Sequence, residues 1–284
     1  MSEQLVVAPR RNRDPWAGRT VFVAAARAGR PTAPTPSCPF CAGGTEAPEP
    51  FTTPYAFVNR WPAVAPESCE VVVHGDDHRD FATMPVDRVR DVVDLWAARS
   101  TSIGARPGVA CVLVFENRGR DAGATVDHPH SQVFGLPLRP SSWPAVEDVD
   151  RCPGCVDAEP ALTLVVMTHW RTEFAVAPAA PYDIRIVARR HVGELADLGI
   201  AERTELAHAI RAAVRVLDDA VGGMMPYHLW VQHGGHLAVH LVGLLRSPGV
   251  PVVLGAAETA TGFRFTPVDP HAAAADLRAL VRRP

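Results

Sequence analysis

An α+β fold, built as two repeats in which helices pack on a mostly antiparallel sheet, is what this 284-residue chain predicts. Three observations point there. First, one arrangement of metal-binding side chains occurs twice: Cys38-Pro39-Phe40-Cys41, His78 and His128, then Cys152-Pro153-Gly154-Cys155, His191 and His236. The second cysteine and the lone histidine are 37 residues apart in one copy and 36 in the other, and the next histidine follows after 50 and 45. A repeat of that kind implies a duplicated unit. Second, each copy reads in the order strand, helix, strand, strand, which suits an antiparallel sheet covered on one side. Third, 47% hydrophobic residues suffice for one large core or two fused ones.

The elements follow in order. Val21 to Ala24 reads as a short strand after the turn-like Arg13-Asp14-Pro15, and the proline-rich residues 31–37 deliver the chain to Cys38. Val71-Val72-Val73 reads as a strand, with His78 in the polar loop that follows. Val86, Val89, Val92, Val93 and Trp96 recur at helical spacing, with Pro85 tolerated in the first turn. The apolar run Ala110 to Phe115 is a buried strand, and a polar loop from Glu116 to Asp127 leads to His128. In the second copy Leu162 to Met167, Phe174 to Ala177 and Ile184 to Val187 read as strands, the last ending just before His191. Leu206, Ile210, Val214 and Leu217 give one helix face. Tyr227 to Val231 and Leu237 to Val242 complete the sheet, and alanine-rich Pro270 to Arg283 forms a terminal helix. Residues 1–137 thus make the first repeat, 138–150 a Pro/Ser/Trp-rich linker, and 151–284 the second.

A net charge of −3 gives no broad basic surface, so nucleic acid is not an expected partner. No apolar run approaches the roughly 20 residues of a membrane span, and the N-terminus lacks the apolar stretch of a secretory signal. A cytoplasmic protein is expected, in which Cys-x-x-Cys pairs are metal or redox sites rather than structural disulfides.

A Cys-x-x-Cys pair with two distant histidines is a tetrahedral N₂S₂ donor set, for which zinc is the usual occupant. Cys38, Cys41, His78 and His128 form the first set; His74 competes with His78, and the repeat spacing favours His78. Cys152, Cys155, His191 and His236 form the second, with His240 an alternative to His236. For His169, His208, His228 and His233 no partner pattern is visible, and each is expected to be a surface or hydrogen-bonded core residue.

The copies differ where chemistry is concerned: His130 in the first is Ala238 in the second. If residues 128–132 are extended, His128, His130 and Gln132 share one face. An imidazole largely neutral near pH 7 is a competent nucleophile toward phosphorus. The loop Glu116-Asn117-Arg118-Gly119 and the turn Gly123-Ala124-Thr125 can offer backbone N–H groups and a hydroxyl to phosphate oxygens.

The run Phe115-Glu116-Asn117-Arg118-Gly119, Ala122-Gly123-Ala124 and His128-Pro129-His130-Ser131-Gln132 resembles the active-site signature of the galactose-1-phosphate uridylyltransferase family, a duplicated branch of the histidine-triad superfamily. The likeness extends to Arg13-Asp14-Pro15, Arg27, Arg30, Cys38 to Cys41 and Val58-Asn59-Arg60. It implies two histidine-triad-like repeats and His130 as the catalytic nucleophile on the α-phosphorus of a nucleoside diphosphate sugar. The nucleotidyl-histidine so formed would pass its nucleotide to a sugar 1-phosphate. Gln132 would hydrogen-bond the transferred phosphoryl group; it cannot shuttle a proton, which favours transfer over hydrolysis. Arg27, Arg30, Asn59, Asn117, Gly123 and Thr125 would hold the nucleotide and its phosphates, and Glu258 the sugar hydroxyls. A homodimer is also implied. Two departures matter: Ser131 replaces the signature's glycine and is closer to the ADP-glucose phosphorylase-like branch, and Ala257-Glu258 lacks the usual aromatic. The alternatives are therefore a phosphorylase using inorganic phosphate, and a nucleotide-binding protein without catalysis.

Overall fold

The computed structural model describes residues 9–30, 37–47, 53–143, 152–156 and 159–281. A small hairpin comes first, β1 (Arg10–Arg13) against β2 (Thr20–Val23), exposed over most of its length. The first half of the main sheet is β3 (Tyr55–Val58), β4 (Cys69–Val73), β5 (Cys111–Arg118) and β6 (His130–Leu136), with helix α1 (Val86–Gly104) between β4 and β5. The second half is β7 (Thr163–Val166), β8 (Trp170–Phe174), β9 (Tyr182–Ala188), β10 (Tyr227–Gln232) and β11 (Ala238–Gly243), with α2 (Ile200–Val221) between β9 and β10. Two further helices follow, α3 (Ala256–Thr261) and α4 (Pro270–Val281).

All nine strands join in one sheet, ordered β3-β4-β6-β5-β10-β11-β9-β8-β7, and every pairing is antiparallel. The order 3-4-6-5 in one half is mirrored by 8-9-11-10 in the other. The halves meet where β5 pairs with β10, Arg118 opposite Tyr227 through Leu113 opposite Gln232.

Alternation along the strands explains where the core sits. Val112 and Val114 of β5, Val133 of β6, Leu229 and Val231 of β10, and Ile184 and Ile186 of β9 point to one face, where α1, α2 and α4 cover them. Trp96 of α1 and Trp170 of β8 are fully buried there. Burying each such side chain contributes about 1.5–3 kcal/mol. The residues between them, including His130, Gln132 and Phe134, point to the other face, on which no helix layer packs among the described residues. Short loops, a 38–47 knuckle and the N-terminal hairpin partly roof its first half: Phe40 packs with Tyr55, Val71 and Val73, and Phe22 with Phe134 and Cys69.

Several local expectations are corrected. The strand expected over Phe174 to Ala177 lies earlier, at Trp170–Phe174, because Trp170, Thr172 and Phe174 alternate inward with Arg171 and Glu173 outward. The loop expected from Glu116 begins later, since β10 supplies a ladder that keeps Glu116, Asn117 and Arg118 extended. Pro85 precedes the helix rather than occupying its first turn. β3 and α3 were not anticipated; α3 begins where the Glu258 carboxylate accepts from the Gly255 N–H at 3.0 Å. The terminal helix ends its described part at Val281, with Arg283 outside the described residues; so are residues 144–150 of the expected linker. No helix among the described residues is long and apolar enough to cross a membrane.

Candidate functional site

His130 opens β6 and is 92% buried, lining a cavity of about 430 Å³ on the uncovered face of the sheet. Its Nδ1 lies 2.8 Å from the His128 carbonyl oxygen. A carbonyl can only accept, so Nδ1 carries the hydrogen and Nε2 keeps its lone pair. Burial, with the nearby Arg30 and His128 adding to it, pulls the ring down to about 4, so it is neutral across the physiological range. Phe40 meets the imidazole edge-on at 5.1 Å between ring centres and limits how it can rotate.

Gln132, two residues on, faces the same cavity, as strand alternation requires. Its Oε1 accepts from Asn59 Nδ2 at 3.0 Å, and the Asn59 Oδ1 accepts from the Trp61 N–H at 2.8 Å. The amide is thereby oriented, leaving its NH₂ as a donor. Arg30 donates to the Thr125 hydroxyl, and both line the cavity with His130. Arg27 donates to the Trp61 carbonyl and so backs the same wall. Gly123, at φ +82°, occupies the left-handed region that its turn needs, and the Asn117 amide lies 3.8 Å from where a Cβ would stand. Asn117 lies near the end of β5 and Gly123 in the loop that leads on to His128; neither lines the His130 cavity. Glu258 is elsewhere: it lines a separate cleft with Arg264 and Phe265 and caps α3. The aromatic walls Phe40 and Trp61 had no role assigned from sequence. Their signal was position alone, inside the Cys-x-x-Cys knuckle and two residues past Asn59.

Ser131 points the opposite way, into the core, and is fully buried. Its Oγ accepts from the Trp96 indole N–H at 2.6 Å and lies 3.1 Å from His74 Nε2. His74 thus belongs to the layer beneath the cavity, stacked on Phe81, and is not grouped with the cysteines.

Cys38, Cys41, His78 and His128 place their ligand atoms within 4.8 Å of one another, as do Cys152, Cys155, His191 and His236. In the first cluster S–N separations are 3.3 to 3.6 Å; in the second, 3.2 to 3.5 Å. A tetrahedral ion with bonds of about 2.0–2.3 Å gives edges of about 3.5 Å, so both donor sets fit a metal ion. Three of the four remaining ring nitrogens are committed to backbone carbonyls: His128 Nε2 to Gly75, His78 Nδ1 to Asp127 and His236 Nε2 to Ala188. Such bonds fix the tautomer that presents a lone pair to the metal. Gly154 is required beside the second cluster, because a Cβ there would stand 2.3 Å from the His236 ring. His240 is outside the cluster, stacked on Trp230 at 4.6 Å.

Residues 65–140 match the family model described as galactose-1-phosphate uridyl transferase, N-terminal domain. The chain is 27% identical to a galactose-1-phosphate uridylyltransferase of Thermotoga maritima, over 93% of this chain and 96% of that one. It is 32% identical to a galactose-1-phosphate uridylyltransferase of Streptomyces lividans, over 78% of this chain and 68% of the relative. A solved structure titled as that of a uridylyltransferase superposes with a TM-score of 0.82 at 22% identity, covering 96% of this chain and 98% of the other.

Proposed function

The chain belongs to the galactose-1-phosphate uridylyltransferase family of nucleotidyltransferases, and from that premise we propose that it moves a nucleoside monophosphate from a nucleoside diphosphate sugar to a sugar 1-phosphate. The observation that carries this reading is the His130 tautomer, with Nδ1 held by the His128 carbonyl and Nε2 left as the nucleophile in a cavity that also contains Arg30 and Gln132. Nε2 attacks the α-phosphorus, an N–P bond forms, and the P–O bond to the leaving sugar 1-phosphate breaks. A second sugar 1-phosphate then attacks the same phosphorus through a phosphate oxygen, and the N–P bond breaks. No proton need be moved in either step, because attacking and leaving groups are both phosphate oxygens. That suits a glutamine at position 132, whose free NH₂ can donate to a phosphoryl oxygen while Asn59 holds its carbonyl. Arg30 supplies positive charge to the phosphates, Thr125 and Gly123 shape the loop beside them, and Arg27 and Asn117 support those walls.

In this reading both Cys/His clusters hold zinc, whose chemistry is structural: all four positions are protein ligands, so none is open to substrate. Cys38, Cys41, His78 and His128 would fix the backbone under His130, and Cys152, Cys155, His191 and His236 would do so in the other half. Glu258 lines none of the His130 cavity, so its contact with a sugar would come across a homodimer. The unpaired cysteines suit a reducing, cytoplasmic setting.

The test is incubation with UDP-glucose labelled in the uracil, followed by intact mass measurement, then chase with galactose 1-phosphate or with inorganic phosphate. A uridylyl adduct discharged by the sugar phosphate supports the reading. Discharge by phosphate alone would make the protein a phosphorylase, and no adduct with any nucleoside diphosphate sugar would leave only binding.

A further inference from the structure

His233 is 98% buried, yet among the described residues neither ring nitrogen has a hydrogen-bond partner; a carboxylate oxygen, Glu194 Oε2, is 3.6 Å from Nδ1. The Ser100 hydroxyl, also buried, is likewise without a partner. Both border a cleft of about 360 Å³ where the two halves of the sheet meet, at the end of β10 away from the His130 cavity. Buried polar groups are nearly always satisfied, so two orphans on one cleft call for an occupant. The space far exceeds the ~10–15 Å³ that one water needs.

The internal repeat says what the occupant resembles. Phe115 pairs with Gln132 in one half and Trp230 with His240 in the other. Gln132 and His240 each stand four residues after the matched histidines His128 and His236, so Phe115 corresponds to Trp230. Three residues further, Arg118 corresponds to His233. The Arg118 guanidinium fills its own position completely, donating to Asp80 beyond β4 and to Asp218 of α2 at 2.6 Å. In the second half Glu194, three residues after His191, is the carboxylate beside His233, much as Asp80, two residues after His78, is the carboxylate bonded to Arg118; Ser100 of α1 borders the cleft on the helix side, as Asp218 of α2 borders Arg118. The shorter imidazole leaves the guanidinium's space vacant between these acceptors. Asp197 adds a second carboxylate at the rim. Arg139 also borders the cleft, but its Nη1 is committed to the carbonyls of His233 and Gly234.

We propose that this cleft binds a small organic cation with N–H donors, of the guanidinium or primary-amine class, in the place that Arg118 fills in the first half. The neutral imidazole donates from Nδ1 toward Glu194 and accepts from the ligand at Nε2; the second Glu194 oxygen and the Ser100 hydroxyl accept further donors. Two carboxylates against one arginine leave the cleft net negative, which favours a cation over a sugar or a phosphate.

The experiment titrates the whole protein with methylguanidinium and with agmatine, against neutral methylurea, erythritol and inorganic phosphate, reading melting temperature and ligand-observed saturation transfer. The cations should bind saturably and raise Tm, and Glu194→Gln should weaken them at least about tenfold through loss of the charged acceptor while transferase activity is unchanged. His233→Arg should supply the guanidinium from within the chain, raising Tm by about 3–5 °C and abolishing cation binding. The inference is overturned if no cation saturates, if methylurea or erythritol binds as tightly as the cations, or if Glu194→Gln leaves cation affinity unchanged; the first result would mean a cleft holding water only. Should His233→Arg fail to fold, the Glu194→Gln titration still decides.

Discussion

Removing one hydroxyl, at Ser131, tests whether the layer beneath the cavity is held by hydrogen bonding. Ser131→Ala keeps the strand and nearly the same volume, but deletes the acceptor of the Trp96 indole N–H at 2.6 Å and the neighbour of His74 Nε2 at 3.1 Å. Trp96 and His74 are both fully buried, so no water replaces the lost oxygen. Each neutral group left unpaired costs about 1–3 kcal/mol. His74 Nδ1 already lacks a partner, so the ring has no alternative bond to fall back on. The sum is about 3 kcal/mol. An unfolding entropy of about 2.1 cal/mol/K per residue gives about 0.6 kcal/mol/K for the whole chain, and hence a fall in Tm of about 5 °C. Urea denaturation of wild type and variant, with an unchanged m value, measures it. On this reasoning metal content stays constant, because no cluster ligand touches the hydroxyl. A loss below about 1 kcal/mol would refute it, showing that Trp96 and His74 are held by packing alone.

His130→Ala should abolish the nucleotidyl adduct in the mass assay while leaving bound metal and unfolding midpoint within the small range of a substitution that removes no cluster ligand. Cys38→Ala and Cys155→Ala should each lose one equivalent of metal, read by elemental analysis, and several kcal/mol of stability with it; equal metal loss in His130→Ala would count against separating the nucleophile from the ligands. Glu116 gives a pH signature. Burial raises its carboxyl from 4.5 to about 8, outweighing the opposite pull of Arg118 and of the Tyr227 hydroxyl that donates to it at 3.2 Å. Between those values the folded state keeps a proton that the unfolded state has released, so this group's contribution makes stability fall as pH rises through the window and level off above about 8. Glu116→Gln should therefore gain stability relative to wild type at pH 8 more than at pH 5; an equal difference at both would remove Glu116 as the source.

Much of this arrangement was legible because it rests on periodicity. The strands carrying Val71 to Val73, Ala110 to Phe115 and Tyr227 to Val231 were visible as apolar runs, and the α1 and α2 faces as helical spacing. What escaped had short or mixed signals. β3 is four residues whose extended form depends on pairing with β4, and β8 hid because its charged residues, Arg171 and Glu173, interrupt an otherwise apolar run. The clustering of Cys38, Cys41, His78 and His128 followed from the duplicated spacing. Spacing alone could not choose between His236 and His240, which alternation would put on one face of an extended run; His236 in fact precedes β11 and meets the cysteines, while His240 within it stacks on Trp230. Nor could it separate Glu258 from the cavity, because the distance between two loops is set by the sheet that lies between them. Phe40 and Trp61 escaped for the opposite reason: an aromatic in a loop reads as core filler until its neighbours are known.

The β5–β10 junction carries a further consequence. Each repeat covers the other's raw strand rim with a ladder running from Arg118 opposite Tyr227 to Leu113 opposite Gln232, and α1 packs directly on α2 behind it. Cutting the gene between the copies would strip both rims of their hydrogen-bonding mates, and the freed pieces would stick to one another or to anything offering an extended segment. An ancestor with a single copy could have hidden that rim by pairing with itself. Fusion would make that partner permanent, leaving one copy free to carry Ala238 where the other carries His130 without losing the architecture.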